Sequence, residues 1–431
     1  MLHNFPFSPA RTRILVLSDS FLPHAGGSRE YYGNIYRSLV ELGSSEVTIL
    51  TKKVPGWREF DLTASTQLFR IKRRFVPLAS CKYHELPKGM GPFLEAAWHV
   101  LRYSPAIVHA GDLYPPGLIA LMLKRAVGIP YVIYCHGEEI TQTDRYRYQP
   151  LIRNRIYENA DAVVAASEFA RQNLLRIGVQ SKKICKITPG VHAERFVPKA
   201  HIASELRQRY GIAGKRVILT VARLIQRKGH RVTLQALLRI RDEIRDVHYV
   251  IVGTGPEESS LRQLVRQSGL AERVTFAGYV AKDDLPGFYG LCDVMVMPNR
   301  QEVDGDVEGF GIVFLEASAA GKPVIGGKTG GAGEAIAEGV TGYLVNPDDP
   351  DELATVLRRL LLDQKLREKL GQAGAQRARS DFNWKSRSEA LGKVNRMILS
   401  GHEIEMGEDA QSPTISGQLA HESVIVPKIG R

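Results

Sequence analysis

The sequence predicts an α/β protein of two Rossmann-like, doubly wound domains facing a cleft. Three observations predict it. Short apolar runs alternate with amphipathic stretches along nearly the whole chain, the pattern of parallel strands joined by helices. Most of these runs end in polar residues, where open α/β sheets bind their ligands. The alternation also stops and restarts once, around "CKITPGVHAERFVP".

The first element is a strand at residues 14–17, in "RTRILVLSDSF". Its apolar core is too short for a secretory leader. A glycine loop follows, then a helix with Tyr31, Ile35, Leu39 and Leu42 on one face. "EVTILTKK", "AIVHAGD", "PYVIYCHGEE" and "ADAVVAASE" supply further strands of the first sheet. The joint lies at residues 190–198. Beyond it, "RVILTVARL", "VHYVIVGTG", "RVTFAGY", "DVMVMPN", "PVIGGK" and "GYLVNP" build a second sheet, with helices at residues 256–268 and 351–363 among them. "DFNWKSRSEALGKVNRMILSG" is a last helix anchored by Trp384. The expected organisation is a first domain over residues 1–196, a second over 197–382, a helix at 383–400 packing back on the first, and a disordered tail at 402–431.

Composition bounds the function. The chain has 431 residues, 44% hydrophobic and 24% charged, as in water-exposed globular proteins. Its longest apolar run, "LIALML" at residues 118–123, is far short of the about 20 residues of a membrane span. Cys81, Cys135, Cys185 and Cys292 form no CxxC pair and read as reduced, packed thiols of a cytoplasmic protein. Residues 1–200 carry 27 Lys and Arg against 16 Asp and Glu, while the remainder carries 31 against 30. The first half therefore attracts anions: an anionic lipid surface, a phosphorylated acceptor or nucleic acid. No nucleic-acid motif accompanies the charge. "RIKRR" at residues 70–74 and "RYRYQPLIRNRIY" at 145–157 mix basic and aromatic residues, which suits either a membrane surface or a solvated face.

Four stretches carry chemistry. In "PHAGGSRE", Gly26 and Gly27 lie between strand and helix, where backbone amides can receive an anion or simply turn the chain. In "VARLIQRKGH", Arg223, Arg227 and Lys228 follow a strand end; Arg223 and Lys228 suit a diphosphate, and a solvated basic loop is the alternative. "VGTGPEESSLRQL" has Gly253-x-Gly255 but Glu258 where a third glycine belongs, so it lines a nucleotide rather than marking NAD. In "DVEGFGIVFLEASAAGKPVIGGKTGG", Glu308 and Glu316 flank the amides of Gly309, Phe310, Gly311 and Ile312 at a helix start. Two carboxylates around free amides suit the hydroxyls of a sugar and a ribose with a phosphate between.

This last run, with "GKPVIGG" after it, resembles the paired-glutamate signature of family 4 (group 1) glycosyltransferases, whose fold is GT-B. Arg223 and Lys228 are similar to that family's diphosphate pair, Gly26-Gly27 to its glycine loop, and "HGEE" to its His-Gly strand end. "ITPGVHAERF" is similar to its Asn-Gly-Val-Asp hinge, with Pro189 and His192 departing from it. The form "DVEGFGIVFLEASAAGKPVIGG" most resembles members that use GDP-mannose, including phosphatidylinositol mannosyltransferases.

The resemblance implies hexose transfer from a nucleotide sugar with retention of configuration and no enzymic nucleophile. By carry-over Glu316 holds the ribose, and Glu308 with the amides of Gly309 to Ile312 holds the sugar and β-phosphate. Arg223 and Lys228 neutralise the leaving diphosphate, and His136 lies against the sugar, with His24 and His109 as other cleft histidines. No cofactor is expected. "DGD" at residues 304–306 would bind a metal diphosphate in the other large glycosyltransferase fold, but Arg223 and Lys228 already supply the charge, so no metal site is expected. The expected acceptor is lipid-linked or a polysaccharide. The alternatives are a UDP-sugar enzyme acting on a small soluble acceptor, and a sugar-nucleotide-binding protein without turnover. The expected location is cytoplasmic, peripheral on the inner face of the membrane.

Overall fold

The computed structural model describes residues 11–19, 21–23, 26–62, 70–73, 86–142 and 149–403. Seven strands form the first sheet: β1 (Thr12–Ser18), β2 (Ser45–Thr51), β3 (Arg70–Arg73), β4 (Ile107–Ala110), β5 (Tyr131–Cys135), β6 (Ala162–Ala165) and β7 (Ile184–Lys186). Their order is β3-β2-β1-β4-β5-β6-β7, and every pairing is parallel. The second sheet holds β8 (Arg216–Val221), β9 (Val247–Val252), β10 (Val274–Gly278), β11 (Val294–Met297), β12 (Val324–Gly327) and β13 (Gly342–Val345). Its order is β10-β9-β8-β11-β12-β13, again all parallel. Helices cover both faces, so the central strands are buried throughout; all six residues of β9, Val-His-Tyr-Val-Ile-Val, are inside. Each sheet reverses its order once, between β1 and β4 and between β8 and β11. A crevice opens outside the carboxyl ends of the strands at such a point.

The sequence reading found every strand of the second sheet but missed β3 and β7 of the first. It also missed the helix Gln364–Asp381, whose polar surface hides its apolar face. Pro256 precedes the helix Glu258–Gln267 rather than opening it. The helix Gly27–Glu41 buries Tyr31, Ile35 and Leu39 on the expected face, but Tyr32 and Tyr36 are buried as well. Leu42 lies just past its end and is 36% exposed.

Tyr32 and Tyr36 pack on the first sheet, against Gly111, His136, His109 and Tyr134. The helix Trp384–Leu399 covers the expected face. It returns to the first domain and lies on Gly27–Glu41, where Ser388 Oγ donates to the Ile35 carbonyl at 2.9 Å. Trp384, Leu391 and Val394 are part of that domain's core. The chain thus crosses between sheets twice, and the two crossings touch: the Val191 amide donates to the Phe382 carbonyl at 2.6 Å. A Cβ on Gly190 would lie 2.9 Å from both the Phe382 carbonyl and the Trp384 ring. Gly190→Ala is therefore expected to cost about 1–3 kcal/mol through overpacking. A urea titration checks this; an unchanged midpoint would mean that the crossing yields freely.

Among the described residues, no helix is long and apolar enough to cross a membrane. Cys135, Cys185 and Cys292 are buried free thiols, and Cys81 lies outside the described residues.

Candidate functional site

Glu308 lies in the loop before the helix Ile312–Ala319 and answers to two cations. Its carboxylate accepts from Lys228 Nζ, and Arg227 Nη1 lies 3.4 Å away. All three side chains are nearly closed to solvent, at 13% for Glu308, 12% for Lys228 and 8% for Arg227. Burial acts to raise the Glu308 carboxyl. Lys228 first and Arg227 second outweigh it and hold the pKa below the ordinary carboxylate value. Burial pushes Lys228 down against the pull of Glu308. Arg223 is exposed at the end of β8 and contributes its field to both groups.

Arg227 organises the loop. Its Nη1 donates to the Val307 carbonyl at 2.6 Å, and its Nε lies 3.2 Å from Asp306 as an ion pair not aligned for a hydrogen bond. Asp306 is thereby turned to a cation. Asp304 Oδ1 accepts from the Asp306 amide at 3.1 Å, inside the same turn. Both carboxylates of "DGD" are occupied in shaping this loop.

Two glycine stretches bring the loop close to its neighbours. A Cβ on Gly331 would lie 1.9 Å from the Gly309 carbonyl, and the Gly331 amide donates to the Glu308 carbonyl at 2.9 Å. The glycines after β12 thus back the glutamate loop directly. On its other side Gly309 meets the first domain, where a Cβ would stand 2.6 Å from the His136 carbonyl. Thr141 Oγ1 also donates across the cleft to the Gly305 carbonyl at 2.7 Å. Among the described residues nothing accepts from the amides of Gly309, Phe310 and Gly311. Phe310 turns its ring into the core against Phe382, so its amide alone faces the site. Ile312 opens the helix, and its amide is one of the unsatisfied first-turn donors.

Glu316 stands further along that helix. The Tyr289 hydroxyl donates to it at 2.7 Å, and burial raises its pKa. Lys282 and Glu30, which pair with each other across the cleft, both act on it electrostatically. Glu30 is in the first turn of Gly27–Glu41, so this pair brings the Gly26–Gly27 loop to the Glu316 end of the site. Among the described residues a Cβ on Gly27 would meet no atom within 4 Å.

His136 follows β5. Its amide and that of Gly137 donate to the Glu139 carboxylate at 3.0 and 2.9 Å, so the second glutamate of "HGEE" fixes the strand end. Glu138 faces the second domain, within the field of Arg227 and Asp306. Burial raises both carboxyls. His136 Nε2 lies 2.7 Å from the Tyr32 hydroxyl, and burial lowers its pKa. His109 is no cleft residue: it is fully buried, bonded to Tyr36 at 3.1 Å and to Asn395 at 3.0 Å, and burial takes its pKa to about 4. His24 lies outside the described residues.

The structure thus gathers Glu308, Lys228, Arg223, Gly309 and His136 at one end of the cleft and Glu316 with the Gly26–Gly27 loop toward the other. Sequence reasoning missed Arg227 as the buried partner of Glu308, and Tyr289 and Lys282 around Glu316. Arg227 sat in plain view in "QRKGH", but a basic loop does not reveal which of its cations is buried.

Two doubly wound domains that meet at the carboxyl ends of their strands around a buried carboxylate and its cations have the GT-B architecture. Residues 25–195 match the family described as Glycosyltransferase Family 4, and residues 203–377 match Glycosyl transferases group 1. The chain is 31% identical over 394 residues to the GDP-mannose-dependent alpha-(1-6)-phosphatidylinositol monomannoside mannosyltransferase of Mycolicibacterium smegmatis, covering 90% of this chain and 98% of that one. It is 27% identical to the mannosylfructose-phosphate synthase of Agrobacterium fabrum, over 85% of each chain. The Anabaena Alr3699/HepE structure in complex with UDP shares the fold, with a TM-score of 0.75 at 20% identity over 89% of this chain and 99% of that one. So does the sucrose-phosphate synthase of Thermosynechococcus elongatus, with a TM-score of 0.73 at 24% identity over 91% and 100%. The chain belongs to the family 4, group 1 glycosyltransferases, and it is a glycosyltransferase enzyme.

Proposed function

We propose that the chain transfers mannose from GDP-mannose to a lipid-linked or polysaccharide acceptor, with retention and without a metal. The observation that carries the reading is the free run of amides at Gly309 to Ile312. It lies at a helix N-terminus beside Lys228 and Arg223 and opposite His136. Such a place suits a diphosphate joined to a sugar. Mannose and GDP are favoured by the 31% relative, whose name carries both.

In this reading Glu316 accepts from the ribose hydroxyls. Glu308 and the amides take the sugar and the β-phosphate. Lys228 has three donors, so its bond to Glu308 leaves two for the phosphate. Arg223 adds a second cation, and together they stabilise charge that grows as the sugar–phosphate bond breaks. Gly26 and Gly27 line the opposite wall. The acceptor oxygen bonds to the anomeric carbon on the face from which the diphosphate leaves, and the acceptor's proton passes to the departing phosphate oxygen. Metal independence is supported by Asp304 and Asp306, which are spent on the loop itself.

The test is a thermal-shift panel of GDP, UDP and ADP with their sugars, run with EDTA. A ligand at about 100 times its dissociation constant adds about 2.7 kcal/mol. GDP-mannose should shift the midpoint most, and its hydrolysis or transfer should survive EDTA. A larger shift by a UDP-sugar, or activity restored only by Mn²⁺, would replace the reading.

The acceptor reading has its own support. Leu94, Trp98 and Leu101 of the helix Leu86–Tyr103 are 58%, 54% and 76% exposed and share one helical face on the basic half of the chain. Tyr146 and Tyr148 lie outside the described residues, as does Arg74. Such a stripe suits a peripheral position on an anionic membrane. Replacing Trp98 and Leu101 with glutamine should lower sedimentation with anionic vesicles at least about tenfold, since each exposed apolar side chain is worth about 1.5–3 kcal/mol when buried. Nucleotide affinity should hold. Wild-type protein that stays in the supernatant at low and physiological salt would favour a soluble acceptor.

A further inference from the structure

We propose that Tyr32 is a positioning residue that holds His136 as its Nε2–H tautomer, making Nδ1 a fixed hydrogen-bond acceptor for a substrate hydroxyl. The proposal rests on the reading that sets His136 beside the transferred sugar.

Proton counting carries it. Among the described residues Tyr32 Oη touches two partners, the Gly111 carbonyl just past β4 and His136 Nε2 at 2.7 Å. A phenol has one proton to give, and a carbonyl has none. The Tyr32 proton must therefore point to Gly111, because any other orientation sets two oxygen lone pairs against each other. The phenol then meets His136 with a lone pair, so the hydrogen in that contact belongs to Nε2. In a neutral imidazole the other nitrogen is then an acceptor. Nδ1 has no hydrogen-bond partner among the described residues.

The arrangement leaves little room to reverse. Tyr32 is 1% exposed. A Cβ on Gly111 would lie 3.1 Å from its ring, so strand and phenol are already in contact. The rings of Tyr31 and Tyr32 lie edge-on to the imidazole at 5.8 and 5.6 Å. The charged groups acting on the ring are Glu138, Asp112 and Arg29, while the Glu139 carboxylate is bound to the His136 amide. Burial outweighs the two carboxylates and favours the neutral ring.

An acceptor fixed at Nδ1 selects a hydroxyl and refuses a group that offers only lone pairs. The proposal predicts that deoxy or O-methyl versions of one hydroxyl, on the sugar or on the acceptor, lose turnover more than affinity.

The test is ¹⁵N NMR of the histidine rings in the intact protein at neutral pH, with the His136 signals assigned by comparison with His136→Gln. The expected result is an Nε2–H neutral ring. In Tyr32→Phe the signals should move toward the Nδ1–H form, and kcat should fall at least about tenfold, the worth of one hydrogen bond of about 1.4 kcal/mol. Nucleoside diphosphate affinity should stay as in the wild type. A wild-type His136 that is Nδ1–H or protonated at neutral pH overturns the proposal, as does a Tyr32→Phe enzyme with wild-type kcat. The NMR measurement needs no substrate, so a wrong donor assignment leaves it intact, and kcat is read with whichever nucleotide sugar the panel selects.

Discussion

Glu308→Gln is expected to lower kcat by about 10²- to 10³-fold, the scale of losing one preorganised electrostatic contact to a developing charge. The substitution keeps the shape and one acceptor oxygen. It removes the charge that holds Lys228 and Arg227 in place. Glu308→Ala removes the oxygen too and leaves the nearly buried Lys228 without its partner, while Arg227 keeps Asp306. Breaking such a group costs about 3–5 kcal/mol of folding stability. The pH dependence has a definite sign. The folded pKa of Glu308 is held below its unfolded value, so its contribution is present in full above the ordinary carboxylate range. It is lost as pH falls through the lower folded value. Urea midpoints of wild type and Glu308→Ala should therefore differ at neutral pH and converge in acid. A gap that persists in acid would show that packing, not charge, makes the difference.

Glu316→Ala is expected to weaken nucleoside diphosphate binding by about 10- to 150-fold, from about 1.5–3 kcal/mol for hydrogen bonds to a charged group. It should also lower stability by about 1–3 kcal/mol, because the fully buried Tyr289 hydroxyl loses its acceptor. Tyr289→Phe separates the two effects. It keeps the carboxylate for the ribose and should bind nucleotide far better than Glu316→Ala. Isothermal titration of both variants decides, and equal affinities for GDP in wild type and Glu316→Ala would remove Glu316 from the ribose.

The fold was legible where burial and regular spacing coincide. β8, β9 and β11 are largely apolar runs because helices cover both faces, and β5 and β6 share the pattern. β3 was unreadable because an edge strand can carry charge, and Arg-Ile-Lys-Arg reads as a basic surface. Its three-residue counterpart at the other edge, β7, is too short to show a period. In the site, Glu308 and Glu316 could be picked out because a carboxylate among buried apolar residues demands a partner. Which partner it takes depends on how loops from β8 and β11 fold over each other, and no spacing in one sequence encodes that. Tyr32 was hidden for the opposite reason: on an apolar helix face, a tyrosine looks like any other core side chain.

The returning helix Trp384–Leu399 sets an order on biosynthesis. The first domain's core includes Leu391 and Val394, so that domain cannot close until the last part of the chain is made. On a ribosome adding roughly 5–20 residues per second, the about 200 residues between the first sheet and this helix take roughly 10–40 s. For that interval the Tyr31 and Ile35 face of the emerging first domain lacks its cover, while the second sheet, complete at Val345, is finished before the cover is made. The half that is synthesised first is thus the half that matures last, and a nascent-chain holdase would find its binding surface there.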